Sequence, residues 1–259
     1  MPTKQTDKLF SEYLAIVRRL RKECPWDREQ THRSIRHSLI EEAYEVVESI
    51  DKNNLQELKA ELGDLLLHVT LHSVMAEEEK AFTINGVLSQ SMEKLIRRHP
   101  HVFGSTTVAN AREVKTNWEK IKMTEGRESL MEGVPNELPA LLRACRLQEK
   151  ASKVGFDWKR KKDVWKKVDE EIKELKKAER TKDLDEIESE MGDLLFALVN
   201  YSRFVQVNPE LALRKSIKKF TVRFRGIEQA LKKRGKRIEH STLEEMDKLW
   251  DRQKRAERR

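Results

Sequence analysis

Glycine and proline are scarce in this chain of 259 residues, nine and six respectively. That scarcity argues against a turn-rich β protein and for long helices. Cysteine is nearly missing: Cys24 and Cys145 form no CxxC or other metal-ligand spacing. No disulfide framework is expected, and the compartment is read as reducing and cytoplasmic. Long apolar runs are missing too. The N-terminal MPTKQTDKLF has no apolar signal segment, and no uninterrupted run approaches a membrane span, so no membrane partner is expected. Apolar residues make up only 37%, so any core must come from thin stripes on amphipathic elements.

Charge is what the chain has in abundance. Charged residues are 38% of it, against about 25% in an average soluble domain. The net charge is +8. A basic balance favours anionic partners, which are nucleic acid, phosphorylated small molecules or an acidic membrane surface. The length suits one large domain or two modest ones.

Apolar periodicity and capping residues predict a succession of helices near 7–22, 34–51, 54–79, 84–98 and 108–123. They resume near 138–153, 162–180, 183–206, 209–233 and 242–258. Ile40, Ala43, Val47 and Ile50 form one apolar stripe; Asn54 with Glu57 is a capping-box-like pair; Pro209 after Asn208 reads as proline in a first helical turn. The segment MTEGRESLMEGVPNELP, with Gly126, Gly133, Pro135 and Pro139, is the best boundary. The chain is therefore read as 1–124, a linker at 125–138, and 139–259.

The two halves repeat one another. Glu41-Glu42-x-x-Glu45 recurs as Glu170-Glu171-x-x-Glu174, and Glu61-Leu62-Gly63-Asp64 as Glu190-Met191-Gly192-Asp193. From 41 to 170 and from 64 to 193 the displacement is the same 129 residues. Lys94-x-x-x-Arg98 pairs with Lys219-x-x-x-Arg223, and Trp118 with Trp250, at slightly different displacements. A rigid helical hairpin followed by a variable loop and two more helices explains both the constant and the drifting offsets.

Glu41 and Glu45 share one helical face and Glu61 and Asp64 another. If the two helices pack antiparallel, four or five carboxylates converge and must be neutralised. Glutamate-rich faces are usually only solvated. Here, however, the second of the two helices is apolar nearly all round, which predicts burial, and both copies keep the acids. Hard oxygen ligands without His or Cys select Mg²⁺, Mn²⁺ or Ca²⁺ over zinc. Mg²⁺ in a basic protein suggests phosphate, and with no Gly-rich loop to cradle it, Lys94, Arg98, Lys219 and Arg223 are the candidate contacts. Gly63 and Gly192, each costing roughly 1 kcal/mol against Ala inside a helix, predict close approach of another element.

CPWDREQTHRSIRHSLIEEAYEVVESI, ELGDLLL, KLIRRHPHVFG and NWEKIK resemble the first half of the MazG family. GFDW, DEEIKEL, EMGDLLF and KKFTVRFRGIE resemble its second half. The resemblance covers nearly the whole chain, in order. It implies an all-α fold of two tandem MazG-like bundles that pair within or between chains; a homodimer is expected, because such bundles leave an apolar face to cover. It also implies Mg²⁺-dependent cleavage (Mn²⁺ as substitute) of nucleoside triphosphates to monophosphate and pyrophosphate. Carried over, the catalytic metal ligands are Glu41, Glu42, Glu45, Glu61 and Asp64, then Glu170, Glu171, Glu174, Glu190 and Asp193. The nucleotide contacts are Lys94, Arg98, Lys219, Arg223 and Trp250. Where the family has a basic residue just before its second ExxD, this chain has Glu186.

Weaker signals are set aside. His68 and His72 are replaced in the second copy by Ala197 and Tyr201, so they are read as core or surface histidines. Glu29-x-x-His32 matches a di-iron pattern but occurs once. Trp26 and Trp158 are read as packing residues, with base stacking second. The basic segments KKRGKR and DRQKRAERR support the chief alternative, a helical nucleic-acid-binding protein, but no recognised nucleic-acid motif is present and nucleic acid is not the expected partner.

Overall fold

The computed structural model describes residues 4–123 and 129–256. Every regular element among them is helical, and the chain divides into two compact units, Met1–Trp118 and Glu119–Arg259. The fold is all-α, with one helical module in each unit. The finer boundaries at 124 and 139 are a proposal, and residues 124–128, the last of the first domain and the first four of the linker, lie outside the described residues.

The first unit runs α1 (Lys4–Glu23), α2 (Pro25–Glu29), α3 (Arg36–Asp51), α4 (Leu55–Glu78), α5 (Ile84–Arg98) and α6 (Pro100–Phe103). Next, α7 (Ala111–Met123) extends into the second unit, which continues with α8 (Ala140–Lys153), α9 (Lys161–Thr181), α10 (Leu184–Phe204), α11 (Pro209–Lys233), a 3₁₀ turn (Ile238–His240) and α12 (Leu243–Ala256). The short α2 and α6 fall in stretches that periodicity leaves as loop. Each opens on proline, which suits a first turn because its missing N–H has no helical acceptor there.

The helix starts follow the capping chemistry legible in the sequence. Asn54 accepts from the N–H groups of Gln56 and Glu57, both at 3.2 Å, and donates to the Glu57 carboxylate at 3.0 Å. Asp183 caps α10 the same way, accepting from Asp185 N at 3.0 Å. Asn208 caps α11 through Leu211 N at 3.0 Å. Between α3 and α4 the chain reverses at Asn53 (φ 54°), and between α9 and α10 at Lys182 (φ 62°). Both reversals use the left-handed conformation that closes a helix end within a few residues. Each pair is thereby an antiparallel hairpin, and α3 with α4, like α9 with α10, packs closely.

The first core gathers Leu14 and Val17 of α1, Leu71, Val74 and Met75 of α4, and Ile84 of α5, together with Ile35. In the second unit Ile227 and Leu231 of α11 pack on Leu249 of α12. Arg21 ties α1 to its neighbours: it donates to the carbonyls of Asp27, Arg28 and Gln30 and pairs with Glu78 at 3.1 Å.

Two expectations are corrected. The buried residues of α4 all lie in its second half, between His68 and Ala76; Leu62 is 51% exposed and, even within that half, Val69 is 44% exposed, and the α3 stripe leaves Ile40 and Ile50 each 54% exposed. The reason is coverage, since the buried residues that α1 and α5 cover on α4 lie at its C-terminal end. Nor do Gly63 and Gly192 admit a neighbour: a Cβ at either would meet nothing within 4 Å in this chain. The close approach occurs instead at Gly226 on α11, where a Cβ would lie 2.5 Å from Gln253 Cδ of α12.

Candidate active site

The α3–α4 hairpin brings Glu42, Glu45 and Glu61 together, one carboxylate oxygen of each lying within 4.8 Å of the others. The α9–α10 hairpin does the same for Glu171, Glu174 and Glu190. These are equivalent positions in the repeat. Among the described residues, no histidine or cysteine joins either group. Glu41 and Asp64 flank the first trio and raise the Glu42 pKa electrostatically; Glu170 and Asp193 occupy the matching positions but lie outside the second trio.

Acids this close resist ionisation. Glu42 titrates above the ordinary glutamate range through partial desolvation, then through Glu45, Asp64 and Glu41. Glu61 is raised by desolvation and by Glu45, which also hydrogen-bonds it. Glu174 is raised by desolvation and then by Glu171, against the opposing pull of Lys167. Desolvation is the larger cause of each upward shift, and repulsion among the carboxylates adds to it. All-oxygen donors of this kind suit a hard divalent cation.

The two copies differ in one residue that the duplicated motifs do not reveal. Lys167 donates to Glu170 at 2.8 Å and pairs with buried Glu171 at 2.5 Å. Those two contacts hold its ammonium far above the usual lysine range. The corresponding position in the first copy is Ser38. Lys167 stands one turn before Glu170-Glu171 on the same face, but with Ser38 in the other copy the duplication does not mark it. Glu186, where the family pattern has a base, accepts from Thr181 Oγ1 at 2.7 Å and serves the start of α10.

The basic and aromatic candidates also come together twice. The Arg98 guanidinium lies 5.9 Å from the Trp118 ring centre, and Arg223 lies 5.3 Å from that of Trp250, within cation–π range. His99 meets Trp118 edge-on in the first copy, and Phe220 packs on Trp250 in the second. Lys94 and Lys219 are exposed on α5 and α11. His68 is buried, and His72 faces His32, Nδ1 to Nδ1, at 2.7 Å. The two rings are nearly coplanar, so the pair shares a proton along an in-plane hydrogen bond. In the second copy Tyr201 takes the place of His72 and meets Trp165 edge-on. The basic segment at 232–237 is partly neutralised within the unit, because Arg234 and Lys236 both pair with Glu245.

Tandem helical hairpins, each lined by a trio of glutamates whose oxygens could share one metal ion, define a class of α-helical proteins with paired acidic sites. The comparisons give the family. The model of the MazG nucleotide pyrophosphohydrolase domain matches twice, at residues 30–103 and 160–227, and each match spans one acidic set with its Lys/Arg pair. The chain is 47% identical over 256 residues to the nucleoside triphosphate pyrophosphohydrolase/pyrophosphatase MazG of Thermotoga maritima, covering 97% of this chain and 98% of that protein. It is 41% identical to the nucleoside triphosphate pyrophosphohydrolase of Escherichia coli K12, covering 98% of each. An uncharacterized Bacillus subtilis protein, YabN, is 45% identical over 96% of this chain and 52% of its own length. The chain belongs to the MazG family and is a hydrolase of that family. No helix among the described residues is long and apolar enough to cross a membrane.

Proposed function

We propose that this protein hydrolyses nucleoside triphosphates between the α and β phosphates, releasing nucleoside monophosphate and pyrophosphate, with Mg²⁺ at the carboxylates of each module. The observation that carries the reading is the pair of glutamate trios at equivalent positions, with acids whose pKa values are raised by desolvation and then by one another. The names of the Thermotoga and Escherichia relatives agree with it. Glu41, Glu42, Glu45, Glu61 and Asp64 would hold the ion in the first module, and Glu170, Glu171, Glu174, Glu190 and Asp193 in the second. Bound there, Mg²⁺ would supply a charge clamp for the triphosphate and a more acidic bound water.

The protein's own groups do the rest. A carboxylate not saturated by the ion takes a proton from the attacking water. Lys94 and Arg98, or Lys219 and Arg223, face charge building on the leaving pyrophosphate, with Trp118 and Trp250 holding the two guanidinium groups in place. Lys167 can turn from Glu170 and Glu171 towards phosphate once a cation occupies the second set. The apolar faces left open beside both hairpins support a homodimer.

The test is pyrophosphate release from a panel of standard and modified triphosphates by the full chain and three variants. Glu45→Ala with Asp64→Ala removes the share of the first module, and Glu174→Ala with Asp193→Ala that of the second. All four changes together reduce turnover by about a hundredfold or more, since even supporting residues of metal sites are worth 10–100-fold. Unchanged release by the fourfold variant, folded by circular dichroism, would exclude the acids from the chemistry. Salt-sensitive nucleic-acid binding without any pyrophosphate release would favour the alternative reading.

A further inference from the structure

The two carboxylate sets hold equivalent acids but not the same charge. In the second, Lys167 reaches Glu170 at 2.8 Å and Glu171 at 2.5 Å, one helical turn ahead of both. The Glu171 side chain is only 6% exposed, and it belongs to the trio whose oxygens could share a metal ion. A buried carboxylate is costly unless a cation meets it, and here the ammonium is that cation. Lys167 itself is 37% exposed. A long stem with its charged head near water lets the head withdraw to solvent while the stem stays packed.

The first set has no such group. Ser38 occupies the corresponding position on α3, three residues before Glu41 and four before Glu42. Among the described residues, the ion pairs of α3 and α4 engage Glu48, Glu57, Glu77 and Glu78, and none engages the acids of the set. One unit of positive charge therefore separates two sites built from the same ligands. An ammonium and a divalent ion drawn to the same oxygens repel one another strongly at such short range, so the two compete.

We propose that Lys167 is the resident counter-ion of the second carboxylate set, which a divalent ion must displace, so that this lysine weakens ion binding there and nothing equivalent does so in the first set. The inference rests on the reading of the acids as divalent-ion ligands and adds what holds the second set together before the ion arrives. Lys167 is in this sense a positioning residue, acting on the ion through Glu170 and Glu171. Its ammonium is released only as the ion enters, which fixes the order in which the second module assembles its positive charges.

Titration of the full chain with Mn²⁺, followed by electron paramagnetic resonance of the free ion, reads each site in a background that removes the other. Glu45→Ala with Asp64→Ala leaves the second set, and Glu174→Ala with Asp193→Ala leaves the first. In the former background Lys167→Met, which keeps the stem and removes the charge, tightens Mn²⁺ binding roughly tenfold, the scale on which groups next to metal ligands act. Lys167→Arg, which restores the charge, returns it to the original value. In the latter background Ser38→Lys weakens binding by a similar factor. A lysine with only a structural role predicts the opposite, since its loss would leave Mn²⁺ affinity unchanged or lower. Unchanged or weaker binding by Lys167→Met, folded by circular dichroism, overturns the inference. So does Ser38→Lys without effect on the first set, a test that does not depend on the Lys167 variant folding. The two readings fail separately: no Mn²⁺ bound in either background removes the ion sites themselves, whereas Mn²⁺ bound regardless of residues 38 and 167 removes the counter-ion alone.

Discussion

Glu42, Glu61 and Glu174 are held where their ionised forms are disfavoured, and this sets the sign of a pH effect. Their pKa values in the folded chain lie above the ordinary one, so the folded state binds protons that the unfolded state has already released. Stability from these groups is present at low pH and is lost as pH rises through the raised values. Without divalent ions, the melting temperature is expected to fall as pH rises from the acid range towards neutrality, and Mg²⁺ at neutral pH to restore it. Melting curves with and without Mg²⁺ across that range check this; no response to Mg²⁺ at neutral pH contradicts it. At this scale the sequence was informative because it contains its own comparison. The six glutamates of the two trios were visible as duplicated acids. Lys167 was not, because the other copy carries Ser38.

Helix starts were legible as well, since Asn54, Asp183 and Asn208 act through groups two or three residues away. The short helices α2 and α6 were not, because four or five residues are too few to show a period. Gly63 and Gly192 misled for a different reason: a helical glycine signals either a close neighbour or none, and only the packing decides. With open space at both positions, Gly63→Ala and Gly192→Ala are each expected to stabilise the chain by about 1 kcal/mol. Denaturant unfolding measures this, and destabilisation instead would mean that another copy reaches α4 or α10 there.

The molecule as a whole leaves much apolar surface outside its cores. Ile40, Leu62, Leu66 and Val69 are exposed around the first hairpin, as are Leu195, Phe196 and Leu198 on α10. The apolar residues of these helices were legible, but their exposure was not, because periodicity describes one chain and coverage can come from another. Apolar surface of this kind, where contiguous, is what a partner covers. The full chain is expected to sediment as a dimer, and Leu66→Glu to shift it towards monomer by placing a charge in that face. A monomer before any substitution contradicts the homodimer.

If the glutamates of each hairpin share a divalent ion, the full chain must bind such ions at both trios. Titration of the full chain with Mn²⁺, following the free ion by electron paramagnetic resonance, tests it most directly. At least two bound ions per chain are expected, one for each trio, and their loss when Glu45, Asp64, Glu174 and Asp193 are all changed to Ala. Identical Mn²⁺ binding by the original and the fourfold variant would contradict it.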